Sequence, residues 1–195
     1  MDVKNRLLLA DLTERVRKRV MASVSEERYK HSVRVAQTCA MLCERFGLNA
    51  QIGFFVGMAH DMCKSMDGSE LLKTAARDGK PILKMEKERP SLLHGRAAAV
   101  LLKEDWGVDD HDILEAVANH TFGAVGMSDL AKLLYVADKI EPGRENVTKE
   151  CTERLLAMTI NGMTRAVVGE SMEYLKDKGK KIAPETEAFY NSLSD

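Results

Sequence analysis

No apolar run in this chain approaches the roughly 20 residues that a membrane span requires, so none is expected. An excess of charge of one sign is missing too. The 29 basic residues offset 30 acidic ones, for a net charge of −1. That balance argues against a surface built to coat nucleic acid and leaves room only for a local basic pocket. The four cysteines, Cys39, Cys43, Cys63 and Cys151, contain no Cys-x-x-Cys pair. They read as buried apolar residues, with Cys63 close enough to Asp61 to line a site. Alternating strand patterns, internal repeats, low-complexity tracts and interdomain linkers are also absent. The opening stretch Met1-Asp2-Val3-Lys4-Asn5-Arg6-Leu7-Leu8-Leu9 is too short an apolar run for a signal peptide, and Asp11, Glu14 and Arg15 soon follow. The expected location is the cytoplasm, where disulfides are rare.

What is present is helical periodicity. With 45% hydrophobic and 30% charged residues, the 195-residue chain suits one domain with a substantial core. Leu7, Leu8, Leu12, Arg15, Val16 and Val20 form a helical stripe. Ser25 followed by Glu26 and Glu27 reads as an N-cap with acidic first-turn residues, opening a helix that stops at Gly47. Asn49 caps a third helix reaching His60-Asp61, with its end near Lys64. Gly53 and Gly57, four residues apart, mark the close approach of a neighbouring helix. Asp67-Gly68 is a turn, and a short helix covers Ser69 to Arg77. The stretch from Lys80-Pro81 to Arg89-Pro90 reads as irregular with a short turn. Further helices run from about Ser91 to Trp106, from Asp109 or Asp110 to His120, and from Ser128 to Pro142-Gly143. A long helix is expected from about Thr148 to Lys178, and Pro184 opens a last short one. The fold class is all-α, a single-domain helical bundle over residues 1–195. Its core spans about 20–145, and C-terminal helices over about 148–193 pack on it.

Along these helices runs an ordered set of histidines and aspartates: His31, the pair His60-Asp61, His94, His120 and Asp138. Imidazole nitrogen with carboxylate oxygen suits Fe, Mn, Zn or Ni better than Mg alone. Adjacent side chains on a helix point about 100° apart, so His60 and Asp61 share one metal only near a helix end or with the metal between them. Such ligands can converge in one cavity between helices. A polyphosphate partner needs charge-assisted bonds. Arg28 shares a helical face with His31, and Lys64 lies three residues after Asp61.

Three stretches resemble the HD-domain superfamily of metal-dependent phosphohydrolases. They are Tyr29-Lys30-His31-Ser32-Val33-Arg34-Val35-Ala36, His60-Asp61-Met62-Cys63-Lys64 and Ala137-Asp138-Lys139-Ile140-Glu141-Pro142-Gly143-Arg144. The last is the most discriminating, and it is similar to the YqeK-type bacterial branch, which splits diadenosine tetraphosphate symmetrically. His94-Gly95, His120-Thr121 with Gly123, and Pro184-Glu185-Thr186 fall where that branch has its motifs. Phe122 and Arg96 depart from it, standing where a small polar residue and a proline are common.

The resemblance implies an HD-type bundle with the metal site between helices. His31, His60, Asp61 and Asp138 would bind the primary metal, iron foremost, with manganese or another divalent transition ion as alternatives. Asp61 could bridge to a second ion, with His94 and His120 as its ligands or as donors to phosphate. The nucleotide would be met by Arg28, Asp61, Met62, Cys63, Lys64, His94, His120, Thr121, Arg144 and Lys181, and the C-terminal helices could close over it. Hydroxide generated at the metal would attack a phosphorus beside the central bridging oxygen, giving two ADP. Lys64 and Arg144 would stabilise the developing charge, and His94 or His120, if not a ligand, would protonate the leaving group. The other readings are a superfamily hydrolase acting on a deoxynucleoside monophosphate or a guanosine polyphosphate alarmone, and a non-catalytic nucleotide-binding module. No nucleic-acid or membrane partner is expected, and a homodimer stays open. His111 reads as a surface residue, and Met58, Met62 and Met66 read as core filling. Lys176, Lys178, Lys180 and Lys181 read as a solvated helix end, unless Lys181 to Thr186 closes over the nucleotide.

Overall fold

Short polar side chains set most helix starts. Ser25 Oγ accepts from Arg28 N, Asn49 Oδ1 from Gln51 N and Ile52 N, Asp110 from Ile113 N, and Ser128 Oγ from Ala131 N. Each such cap is worth about 1 kcal/mol. The computed structural model describes residues 3–145 and 147–194, with side chains from residue 8 onward. Met1, Asp2 and the Leu7 side chain of the expected N-terminal stripe lie outside the described residues.

The helices in chain order are α1 (Val3–Ser23), α2 (Glu26–Arg45), α3 (Ala50–Ala59), α4 (Gly68–Ala75), α5 (Lys84–Glu88), α6 (His94–Glu104), α7 (His111–Asn119), α8 (Asp129–Ile140), α9 (Lys149–Leu156), α10 (Ile160–Asp177) and α11 (Pro184–Ser192). Single 3-10 turns cover Ala76–Asp78 and Pro90–Leu93. The described residues contain no strand, in keeping with the all-α expectation. Among them no helix is long and apolar enough to cross a membrane.

The core is built where α2, α3 and α8 meet. Val35, Ala36, Cys39 and Leu42 of α2, Phe55, Val56 and Met58 of α3, and Leu133, Leu134 and Val136 of α8 are fully buried. Glycines let α2 and α3 approach. A Cβ on Gly57 would lie 2.5 Å from Ala36 Cα, and one on Gly53 would lie 2.6 Å from Cys43 Sγ and 2.9 Å from the Cys39 carbonyl. On the other side, α10 packs on α8. The Phe189 ring of α11 meets Tyr135 of α8 edge to face, with centroids 5.6 Å apart. Arg165 donates to the carbonyls of Tyr190 and Leu193 and holds α11 against α10.

Three elements differ from the sequence reading. The expected long helix over 148–178 is two, α9 and α10. Thr159 is extended (φ −65°, ψ 164°) and its hydroxyl caps α10 at Gly162 N, whereas the apolar spacing runs on across the break. The third helix ends at Ala59 rather than near Lys64, so His60 begins a run of turns. The irregular stretch at 80–90 contains α5, and Arg96 of α6 pins it. The Arg96 guanidinium donates to both Asp78 oxygens at 2.8 Å, to buried Glu86 and to the carbonyls of Lys80 and Pro81. The departure at Arg96 is thus a strut between α6 and the 78–88 segment.

Candidate metal centre

Four histidines reach one point from four different segments. His31 comes from the middle of α2, His60 from the end of α3, His94 from the start of α6 and His120 from the end of α7. All four are buried, as is Asp61. The Nδ1 atoms of His60, His94 and His120 lie 2.6, 2.7 and 2.8 Å from the carbonyls of Gly57, Ser91 and Val117, each three residues earlier. A carbonyl only accepts, so each Nδ1 carries the proton and donates it. His31 Nδ1 donates to Glu141 Oε1 at 3.1 Å. Every Nε2 lone pair is thereby turned inward, as in metal-ligating imidazoles.

The inward atoms form two groups that share Asp61. In the first, His31 Nε2 is 3.1 Å from Asp138 Oδ1 and 3.8 Å from Asp61 Oδ2. His60 Nε2 lies 3.5 Å from Asp61 Oδ2 and 3.8 Å from Asp138 Oδ1. In the second, His94 Nε2 is 2.9 Å from Asp61 Oδ1 and 2.9 Å from His120 Nε2, and His120 Nε2 is 3.9 Å from Asp61 Oδ1. Ligands about 2.1 Å from one ion stand about 3.0 Å apart at right angles and about 4.2 Å apart when opposite. The first group falls inside that range throughout.

Its orphaned atoms point the same way. Buried His31 Nε2, His60 Nε2 and Asp61 Oδ1 accept and donate no hydrogen bond. The His94 and His120 Nε2 atoms face each other with both protons already committed at Nδ1. Buried polar groups need partners, and a divalent cation supplies one to all of them. The residues therefore fit a divalent metal.

Charge on the protein side is arranged around the two aspartates. Arg28 donates to Asp61 Oδ2 at 2.9 Å, and Lys64 Nζ lies 3.5 Å from Asp61 Oδ1 and 3.2 Å from His94 Nε2. Lys139 donates to Asp138 Oδ2 at 2.8 Å and to the His120 carbonyl, and Arg144 donates to Asp138 Oδ1 at 2.9 Å. Burial pushes the Asp138 carboxyl up, but Lys139 and the neighbouring imidazoles outweigh it and hold the group well below the usual range. Asp61 is likewise held well down, burial being outweighed by His60 and His94. For His60, burial is outweighed by Asp61 and Asp138, which raise its pKa. Burial, then His94 and His60, hold His120 well below the usual imidazole range, so it stays neutral.

Beside this centre lies a cleft of about 690 Å³. Thr121, Phe122, Lys139 and Arg144 form its inner end, and Glu170, Tyr174, Lys180 and Lys181 of the C-terminal region form its far wall. Thr121 Oγ1 is buried there without a partner. Met62 and Cys63 are buried in the apolar core and are not among the residues lining the cleft. Lys139 was not singled out from the sequence. Its signal is adjacency to Asp138, and its Nζ also packs over the Tyr135 ring at 4.1 Å. His111 is exposed and apart from the centre.

Residues 28–143 match the model of the HD-domain family. The chain belongs to that family. It is 33% identical to the symmetrical bis(5'-nucleosyl)-tetraphosphatase of Bacillus subtilis (strain 168), over 89% of this chain and 93% of the relative. The protein of the same name from Halalkalibacterium halodurans is 30% identical over 89% of this chain and 92% of its own length. A crystal structure described as a predicted HD superfamily hydrolase involved in NAD metabolism, from Clostridium acetobutylicum, superposes with a TM-score of 0.83 at 30% identity. That match covers 92% of this chain and 95% of the other. For this HD-domain chain the family match spans every residue of the four-histidine, two-aspartate set.

Proposed function

We propose that this protein is a metal-dependent hydrolase that splits diadenosine tetraphosphate symmetrically into two ADP. The observation that carries the reading is the convergence of four inward Nε2 atoms and two carboxylates at the cationic end of a nucleotide-sized cleft. Full-length relatives bearing the name of that activity support it.

His31, His60, Asp61 and Asp138 would hold the primary ion. His94, His120 and Asp61 Oδ1 would hold a second, with Asp61 bridging. Iron is the first assignment, and manganese or another divalent transition ion is the alternative. Such ions, when bound, polarise phosphoryl oxygens and acidify water to near-neutral pKa.

The protein's own groups do the rest. His94 and His120 commit their Nδ1 protons to main-chain carbonyls, so each neutral ring presents an Nε2 lone pair, not a proton, to the centre. Of the two roles open to them, that bonding supports ligation. Lys64 and Arg28 stand on one side of the aspartates and Lys139 and Arg144 on the other. The tetraphosphate would exchange its charge for these existing pairs, and the four cations would position the two central phosphates and take up charge on the departing ADP. One nucleoside would lie in the cleft against Phe122 and Tyr174, with Thr121 and Lys181 at its border. The helices α10 and α11 form the wall that would close over it.

Metal analysis of anaerobically purified protein, paired with chromatography of the products from diadenosine tetraphosphate, tests the reading. Two ADP is the expected outcome, and ATP with AMP would overturn the symmetrical cut. A panel containing deoxynucleoside monophosphates and guanosine polyphosphates separates the other substrate classes. Asp61→Ala should abolish both metal uptake and turnover.

A further inference from the structure

His31 is held differently from the other three imidazoles. It sits mid-helix, where its own carbonyls are engaged in the α2 ladder, and its Nδ1 reaches Glu141, 110 residues away in sequence. Glu141 is 1% exposed. Its Oε2 accepts from Arg34 Nε at 2.5 Å and from Gly143 N at 2.6 Å. Arg34 lies three residues after His31 on the same helical face. A Cβ on Gly143 would collide with the Arg34 guanidinium, so glycine is needed there for the bridge to close. The Glu-Pro-Gly segment after α8 is thus shaped around one carboxylate, which joins α2 to the end of α8 beneath the metal centre.

We propose that Glu141 is a positioning residue for the metal: it fixes the Nδ1–H tautomer of His31 and raises the electron density at its Nε2, while Arg34 keeps the carboxylate aimed. A carboxylate partner makes an imidazole a stronger donor than a carbonyl partner does, so His31 is the strongest nitrogen ligand of the four. The inference rests on the metal-site reading above. It goes beyond that reading in assigning work to two residues, Glu141 and Arg34, that touch neither the metal nor the substrate.

The test uses chelator-stripped full-length protein titrated with Mn²⁺, free aquo ion being read by electron paramagnetic resonance. Glu141→Gln keeps the shape and loses the charge, and should weaken Mn²⁺ about tenfold, whereas Glu141→Leu loses the bond and should weaken it toward about 100-fold. Arg34→Gln breaks the same ion pair without touching His31. It should lower metal-free thermal stability as much as Glu141→Gln does and weaken Mn²⁺ by a smaller factor, about two- to threefold, because the carboxylate loses its aim from Arg34 but keeps its bonds to His31 and Gly143 N. The ¹⁵N spectrum of the metal-free protein should show His31 protonated at Nδ1 in the parent and in Glu141→Gln, and shifted toward Nε2–H in Glu141→Leu. If the leucine variant does not fold, the near-isosteric glutamine variant carries the test. Mn²⁺ affinity within about twofold of the parent in Glu141→Gln, with only stability lost, would overturn the proposal and leave the ion pair a structural tie. A parent protein that takes up no Mn²⁺ overturns the metal-site reading and this inference with it.

Discussion

Stripping the metal should lower the melting temperature by an amount the structure allows one to work out. Three buried atoms, His31 Nε2, His60 Nε2 and Asp61 Oδ1, have no hydrogen-bond partner. An unsatisfied buried polar group costs about 1–3 kcal/mol, so the three together cost at least about 3 kcal/mol that a bound cation relieves. A domain of 150–250 residues shifts by about 2–4 °C for each kcal/mol, giving about 6–12 °C. Mass action gives a consistent figure, since free metal at about 100 times its Kd stabilises by about 2.7 kcal/mol. The assay compares thermal melts of chelator-treated protein with the same protein reloaded with Mn²⁺, and anaerobically with Fe²⁺. Asp138→Asn should lose most of the increment, because Asp138 Oδ1 faces both first-group histidines. Identical melts of stripped and reloaded protein, to within about 1 °C, would refute the reasoning, as would an increment that survives intact in Asp138→Asn.

Other perturbations reach other parts of the molecule. Gly57→Ala places a methyl against the Ala36 backbone and should destabilise the protein by about 1–3 kcal/mol in urea melts. It should also depress turnover, because α3 carries His60 and α2 carries His31; unchanged stability would contradict the close contact. Lys181→Glu should raise the KM for diadenosine tetraphosphate several-fold if the C-terminal wall meets the phosphates, and an unchanged KM would return Lys181 to a solvated helix end. Arg96→Met tests the strut. Burial raises the Asp78 pKa, but the Arg96 bond outweighs it and holds the carboxyl below its unfolded value. A depressed carboxylate stabilises above its unfolded pKa of about 3.9 and loses that contribution as pH falls through the folded one. The stability gap between parent and Arg96→Met should therefore be widest near neutrality and narrow as pH falls below the unfolded carboxylate value, as followed by circular dichroism; a gap independent of pH would contradict the assignment.

Helix starts were legible because capping is local: Ser25, Asn49, Asp110 and Ser128 announce themselves within three residues of the donors they satisfy. The close approach of α2 and α3 was legible from Gly53 and Gly57, since only crowding explains two glycines at that spacing. The break at Thr159 was not, because the apolar period continues through it and the cap lacks an acidic third residue. The ligand set stood out through its order along the chain. What held it together did not. The Ser91 and Val117 carbonyls carry no side-chain signal, Lys139 is marked only by its neighbour, and Arg34 meets Glu141 through a contact that no local pattern encodes. Arg96 read as a departure from a family pattern. Its six acceptor atoms come from a segment 10 to 18 residues earlier, and only folding brings them to it.

The i−3 carbonyl bonds of His60, His94 and His120 also bear on the order of events in folding. Each ring is aimed by its own turn, so three ligands acquire their orientation as soon as local structure forms, before the helices have docked. Closing a local loop takes far less time than assembling distant elements. His31 alone waits for α2 to meet the far end of α8. Tight metal capture therefore needs that contact as well as the docking of α3, α6 and α7 that brings the other inward nitrogens together.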